Sequence, residues 1–341
     1  MSIVLKNGRI IGDIDKPYII AEVNSSHNGN VEVAKRMIDS AVNAGCSCVK
    51  FQSWTTETLY SKTYYEENPI AERFVKKFSL SEEQLLDVME YCKERGIDFS
   101  STPYSNGEVD FLVKCDVPFI KISSMEINNY PFLEYIASKQ IPIILSTGMS
   151  DFEEICNAVS VIERAGNRKL CLLHCISMYP AEPETINLNN IKMLKEKFPN
   201  YPIGFSDHSV GIELSVAAVA LGADVIEKHL TLDKTRIGMD NQMAIEPDEM
   251  KNLVTSCYNV WNAMGTYERR VSKDEIEQRN KMRRSLVYSR NMMMGDIITK
   301  NDINAKRPGI GISPQNVNDI LGKKLIKSVC ADTVIRVEDY E

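Results

Sequence analysis

Hydrophobic and polar positions follow two alternating rhythms along residues 1–265 of the chain. Short runs rich in β-branched and apolar residues recur as YIIAEV (18–23), CSCVKFQ (46–52), IDFSSTP (97–103), FIKISS (119–124), PIILST (142–147), LCLLHC (170–175), PIGFSD (202–207) and VIEKHL (225–230). Each reads as a strand, because such residues favour extended backbone and the runs have strand length. Between them lie stretches whose apolar positions fall three and four apart, among them VEVAKRMIDSAVNAG (31–45), SEEQLLDVMEYCKERG (81–96), DFEEICNAVSVIERAG (151–166) and VGIELSVAAVALG (210–222). That spacing gives a helix one apolar stripe, and the closing glycines supply a left-handed stop. Eight strand-then-helix units within residues 1–265 predict an α/β fold, a (β/α)8 TIM barrel. An open doubly wound sheet is the alternative the same pattern allows.

The rhythm breaks after NVWNAMG (259–265). The charged stretch over 266–284 has few apolar anchors and reads as a linker or surface helix, and residues 285–341 read as a small β-rich second domain with Gly, Pro and Asn-Asp turns. Apolar content of 43% and charged content of 26% suit a globular chain, and a net charge of −7 without a clustered basic face argues against a nucleic-acid partner. No apolar run reaches membrane-spanning length, and the first residues lack the apolar core of a signal peptide. Nine cysteines, mostly within apolar runs, suit small buried hydrophobes in a reducing compartment, so a cytoplasmic location is expected.

In a barrel of this kind chemistry belongs at the carboxyl ends of the strands, and the polar residues of the runs gather there. Glu22 closes the first run, Lys50 and Gln52 the second, and Lys121 and Ser124 the fourth; Ser146 and Ser177 follow at the fifth and sixth. Side chains alternate along a strand, so Lys50 shares a face with Gln52, Ser206 with His208, and Glu227 with His229, while Lys228 points toward the helices. Of four histidines, His174 lies mid-strand and reads as a hydrogen-bonded structural residue. His208 and His229 close consecutive runs. Neighbouring strands lie about 4.8 Å apart, so the two imidazoles can reach one ion, and an open two-histidine site suits Mn²⁺, Co²⁺ or Zn²⁺. Lys50 and Lys121, embedded in apolar runs, either form a Schiff base or neutralise an anion. With Ser124, Ser146, Ser177 and Ser206 they make a phosphate cradle.

The ordered motifs IAEVNSSHNG, VKFQS, STPYS, IKISSMEINNYP, ILSTGM, LLHCISMYP, GFSDHS and VIEKHLTLD resemble the bacterial sialic acid synthase family, makers of N-acetylneuraminic, legionaminic and pseudaminic acids. The later AKRPGIGISP (305–314) resembles that family's antifreeze-like (SAF) domain. The resemblance implies a metal-dependent enzyme, most simply with Mn²⁺ and otherwise with Mg²⁺ or Co²⁺. It would condense phosphoenolpyruvate with an N-acetylated hexose, giving a nine-carbon 2-keto sugar acid and phosphate. It further implies that His208 and His229 are metal ligands; that Lys50, Lys121, Ser124, Ser146 and Ser206 bind phosphoenolpyruvate; and that Gln52, Glu126, Tyr179 and Asp240 bind the sugar. Ser177 stands where some members have an asparagine beside the phosphate. Glu22 matches an acidic residue associated with catalysis, with Glu22 or Glu126 as general base. Arg307 matches an arginine that one subunit inserts into its partner's barrel, implying a domain-swapped homodimer.

Departures from the motifs are also present. Asn24 and Ser26 replace a Gly and an Asn of the first motif, and Asn241, Gln242 and Ala244 replace the His-containing segment after Asp240. Met239 and Met243 suggest a more apolar wall there, suited to a 2,4-diacetamido-trideoxyhexose rather than N-acetylmannosamine. A Schiff-base aldolase using Lys121 and a catalytically altered sugar-binding member are the competing readings.

Overall fold

A computed structural model of the chain describes residues 1–12, 15–236, 238 and 240–341. It divides into two compact units, Met1–Gly265 and Thr266–Glu341.

Every expected run of the first unit contains a strand: β1 Tyr18–Glu22, β2 Cys48–Gln52, β3 Asp98–Thr102, β4 Ile120–Ile122, β5 Ile143–Ser146, β6 Leu170–Cys175, β7 Ile203–Asp207 and β8 Val225–His229. They pair in parallel in the order β3-β2-β1-β8-β7-β6-β5-β4. The two end strands meet at a seam where the Ser100 hydroxyl donates to the Phe119 carbonyl at 2.9 Å. The sheet is therefore the expected TIM barrel and not an open sheet.

Strand alternation sorts residues between two cores. Ile19, Ala21, Val49, Ile143, Leu145, Leu172 and Ile226 face outward onto the helices. Tyr18, Ile20, Cys48, Phe119, Ile144, Leu173 and Val225 face inward, and an N-terminal hairpin of Ser2–Val4 and Ile10–Gly12 adds Ile3 and Ile11 to them. The inner column is tight: at Gly204 a Cβ would lie 2.5 Å from both the Leu173 side chain and the Val225 carbonyl oxygen, so only glycine fits. At the amino end of the barrel the inward Asp98 is taken up by the Tyr18 hydroxyl at 2.6 Å, and the polar residues above this plug lie at the carboxyl ends of the strands.

The four quoted helical stretches form helices Val31–Ala44, Glu82–Arg95, Phe152–Arg164 and Glu213–Ala220. The first two stop at Gly45 (φ 85°) and Gly96 (φ 71°) in the left-handed region. Three short helices between β2 and β3, Thr56–Leu59, Lys62–Glu67 and Pro69–Phe78, were not singled out by periodicity. They close over Trp54, Tyr65, Val75 and Phe78. Lys228 does point toward the helices, where it pairs with Asp207 at 3.0 Å, both fully buried.

The second unit begins with the charged segment, which carries helix Lys273–Met282. Strands β9 Ser285–Tyr288 and β10 Ile303–Lys306 pair antiparallel, and a core of Leu286, Tyr288, Met292, Ile298, Ile320, Leu325 and Ile335 holds the turns around them. No helix among the described residues is long and apolar enough to cross a membrane.

Candidate active site

A cavity of about 390 Å³ opens at the carboxyl ends of the barrel strands. Its floor is the top of the inner column, where β1, β2, β4 and β8 deliver Glu22, Lys50, Lys121 and Glu227. Registers bring them side by side: Glu22 pairs in register with both Lys50 and His229, and Glu227 with Ser206. Lys50 and Glu22 form a close ion pair, and Glu227 lies 4.0 Å from Lys50 and 3.9 Å from Lys121. All four are almost fully buried.

Hydroxyls complete this floor. The Ser206 hydroxyl donates to Glu227 at 3.0 Å, and Lys121 donates to Ser146 at 2.6 Å and to the Ile122 carbonyl at 3.1 Å. Lys50 reaches Thr102 at 3.3 Å. Burial raises the Glu22 carboxyl above its ordinary pKa despite Lys50. Burial weakens the Lys50 ammonium, but Glu22 and Glu227 more than restore it. For Lys121 burial prevails over Glu227, leaving it the more readily deprotonated of the two lysines.

Above the floor the His208 and His229 rings stand 5.5 Å apart, and the Tyr179 ring lies 4.2 Å from the first and 6.3 Å from the second. His208 Nδ1 bonds the Ile176 carbonyl at 2.8 Å, which requires the proton on Nδ1, so that Nε2 carries the lone pair whenever the ring is neutral. His229 is buried and held neutral, its pKa pushed well down by burial and by His208. Its Nδ1 is buried without a hydrogen-bond partner and lies 3.9 Å from Asp240. Burial, with Glu22 nearby, lifts the Asp240 carboxyl to about 7. Among the described residues no group of three or more His, Cys, Asp and Glu side chains forms a ready-made metal cluster.

Gln52, Ser124 and Ser177 also line this cavity. Gln52 is fixed from two sides, accepting from Tyr104 at 2.7 Å and Trp54 at 2.9 Å. The Ser124 hydroxyl accepts the Gly148 N–H at 2.9 Å. Two expected site residues lie elsewhere. Glu126 is half-buried outside the lining and accepts from Asn129 at 2.8 Å, and Arg307 is an exposed residue of the second unit. His174 is structural, with Nε2 2.6 Å from the Ile186 carbonyl and its ring stacked on Phe205.

The alternation that puts Glu227 on the same inner face as His229 was readable in the sequence, but no site role was assigned to Glu227 from it. Also unassigned were Thr102 at the end of β3, Leu59 at the end of a short helix, and Tyr60, Tyr104, Met125 and Met149, all of which line the cavity. The expected apolar wall is corrected accordingly. Met243 is buried and does not line the cavity, Met239 lies outside the described residues, and the apolar lining comes from Leu59, Tyr60, Met125 and Met149.

A closed parallel barrel with paired lysines, carboxylates and imidazoles converging at its carboxyl rim defines a TIM-barrel enzyme-type site. The chain belongs to the NeuB family, whose sequence model matches residues 37–269, and it carries a SAF domain matched over residues 283–341. It is 41% identical to an uncharacterized protein of Methanocaldococcus jannaschii, over 97% of this chain and 96% of that one. The N,N'-diacetyllegionaminic acid synthase of Legionella pneumophila is 38% identical, with 95% and 94% covered. Among solved structures, the N-acetylneuraminic acid (sialic acid) synthetase of Leptospira borgpetersenii in complex with citrate is similar, with a TM-score of 0.75 and 35% identity. That likeness covers 83% of this chain and 97% of the other.

Proposed function

We propose that this protein condenses phosphoenolpyruvate with an N-acetylated hexose, forming a nine-carbon 2-keto sugar acid and releasing phosphate. The observation that carries the reading is the stacking of two buried lysines beneath two imidazoles in one cavity. Lys50 and Lys121, with the hydroxyls of Ser146 and Ser206, would receive the phosphate and carboxylate of phosphoenolpyruvate, and Ser124 and Ser177 flank that end. Gln52, Tyr179 and Asp240 would hold the sugar.

Charge supports a divalent ion. The lining holds three carboxyls, Glu22, Glu227 and Asp240, against two lysines, too few cations for a multiply charged anion. The unpartnered His229 Nδ1 and the free Nε2 of His208 fit one ion, Mn²⁺ or else Mg²⁺ or Co²⁺, which when bound would polarise the aldehyde oxygen of the open-chain sugar. The methylene carbon of phosphoenolpyruvate would bond to the aldehyde carbon, whose oxygen keeps the C=O π pair and takes up a proton to become a hydroxyl, and water would add to the cationic carbon 2. Glu22 is preferred over Glu126 for the proton of that water because only Glu22 lines the cavity. Breaking the C–O bond to phosphate leaves the 2-keto acid.

The apolar lining favours a 2,4-diacetamido-trideoxyhexose over N-acetylmannosamine, since Leu59, Met125 and Met149 suit methyl groups better than hydroxyls. With Mn²⁺ and a panel of acetamido hexoses, phosphate release from phosphoenolpyruvate is expected, with kcat/KM about tenfold higher for the diacetamido sugar. No phosphate release with any of them would refute the reading. The lowered pKa of Lys121 favours a second reading, a Schiff-base aldolase. Borohydride trapping of pyruvate on Lys121 would select it.

Arg307, exposed and without an ion pair among the described residues, would complete the cavity of a second copy in a homodimer. Arg307→Ala alone and His208→Ala alone are expected to be inactive, while their mixture regains activity because hybrid dimers contain one intact site. Failure of the mixture to regain activity would remove the partner role.

A further inference from the structure

Two positions at which this chain departs from its family's motifs, Ser26 and Asn241, bond to each other. We propose that they form a latch that positions Asp240 for the sugar. The inference rests on the proposed reading of Asp240 as a sugar-binding residue.

Asn241 is 1% exposed and engages both ends of its carboxamide. Its Oδ1 accepts the Ser26 hydroxyl at 2.6 Å, while Nδ2 donates to the Arg236 carbonyl at 3.0 Å and more weakly to the Asp233 carbonyl at 3.4 Å. Gly238 packs flat against it, so close that a Cβ there would lie 2.9 Å from the carboxamide carbon. One side chain therefore ties the loop after β1 to the turn after β8. Asp240 is the adjoining residue, and among the described residues its backbone is otherwise held by its carbonyl, which accepts from Ala244 at 3.2 Å and from Met243 at 3.4 Å.

Asp240 lines the cavity beside His229, whereas neither Ser26 nor Asn241 does. The pair acts through Asp240, so both are positioning residues. The two floor lysines come from β2 and β4, whereas the latch joins the segments that follow β1 and β8, and the Lys121–Ser146 bond does not involve this turn. A substitution in the latch should therefore separate the two substrates.

Ser26→Ala and Asn241→Ala are each expected to raise the KM for the acetamido hexose about tenfold, the worth of a buried hydrogen bond, while leaving the KM for phosphoenolpyruvate unchanged. The double variant should be no worse than Asn241→Ala alone, because the only bond of the Ser26 hydroxyl among the described residues is already lost in that variant. Amide hydrogen exchange across residues 231–245 should accelerate in both single variants without any substrate. Equal rises for the two substrates, no change in either, or additive effects in the double variant would overturn the latch. If the wild-type protein releases no phosphate with any acetamido hexose, the functional reading falls and exchange alone decides. Faster exchange then upholds the latch, and unchanged exchange overturns it.

Discussion

His208→Ala and His229→Ala are each expected to lower kcat/KM for phosphate release by about 10³-fold, the scale of losing a preorganised electrostatic stabiliser. Stability should change little. His229 Nδ1 is buried with no partner, so removing the ring relieves an unsatisfied group, which offsets the loss of its bond to the Asn24 backbone. His208 gives up a bond to the Ile176 carbonyl, about 1 kcal/mol. Chelation of the wild-type enzyme should cause the same loss, and added Mn²⁺ should reverse it. An enzyme that runs unimpaired after chelation, or with either alanine in place, would end the metal assignment.

The next largest effect is expected at Lys50. Lys50→Met leaves Glu22 buried without its nearest cation and Glu227 with Lys121 alone, a change that costs about 3–5 kcal/mol. Urea unfolding would measure it. In the wild type the Lys50 pKa is raised, so its stabilisation is fully present through neutral pH. It is lost only as pH rises past the ordinary lysine range. In the variant the sign reverses. Glu22, already raised by burial, rises further and binds a proton more tightly folded than unfolded, so the deficit should be smaller at pH 5 than at pH 8. Lys121→Met should cost less stability, because Glu227 keeps Lys50 at 4.0 Å. Both variants should lose phosphate release. A Lys50→Met protein as stable as the wild type at pH 8 would contradict the buried charge cluster.

Much of this site was legible in the chain. Strand runs buried on both faces read as near-continuous apolar stretches, and their eightfold recurrence with glycine-stopped helices specified the barrel. Alternation along VKFQ and VIEKH assigned Lys50, Gln52 and His229 to one face and Lys228 to the other, because a strand's side-chain period is two whatever surrounds it. The loop residues were not legible in this way. Leu59 ends a four-residue helix without a long periodic stripe and Tyr60 caps it, and Met125 and Met149 look like ordinary exposed methionines until the loops turn them toward the cavity.

By itself, then, the chain determined which residues are strand and helix, which face of each strand is inward, and which family the motifs resemble. Those properties are local, governed by periods of two and 3.6 residues and by glycine's backbone freedom. Only the tertiary structure decided that Glu227 bridges two lysines, that His229 keeps an unpartnered nitrogen beside Asp240, and that Ser26 meets Asn241 across the rim. Such contacts join residues far apart in the chain, and their distances follow from barrel closure and strand register, which no single segment encodes.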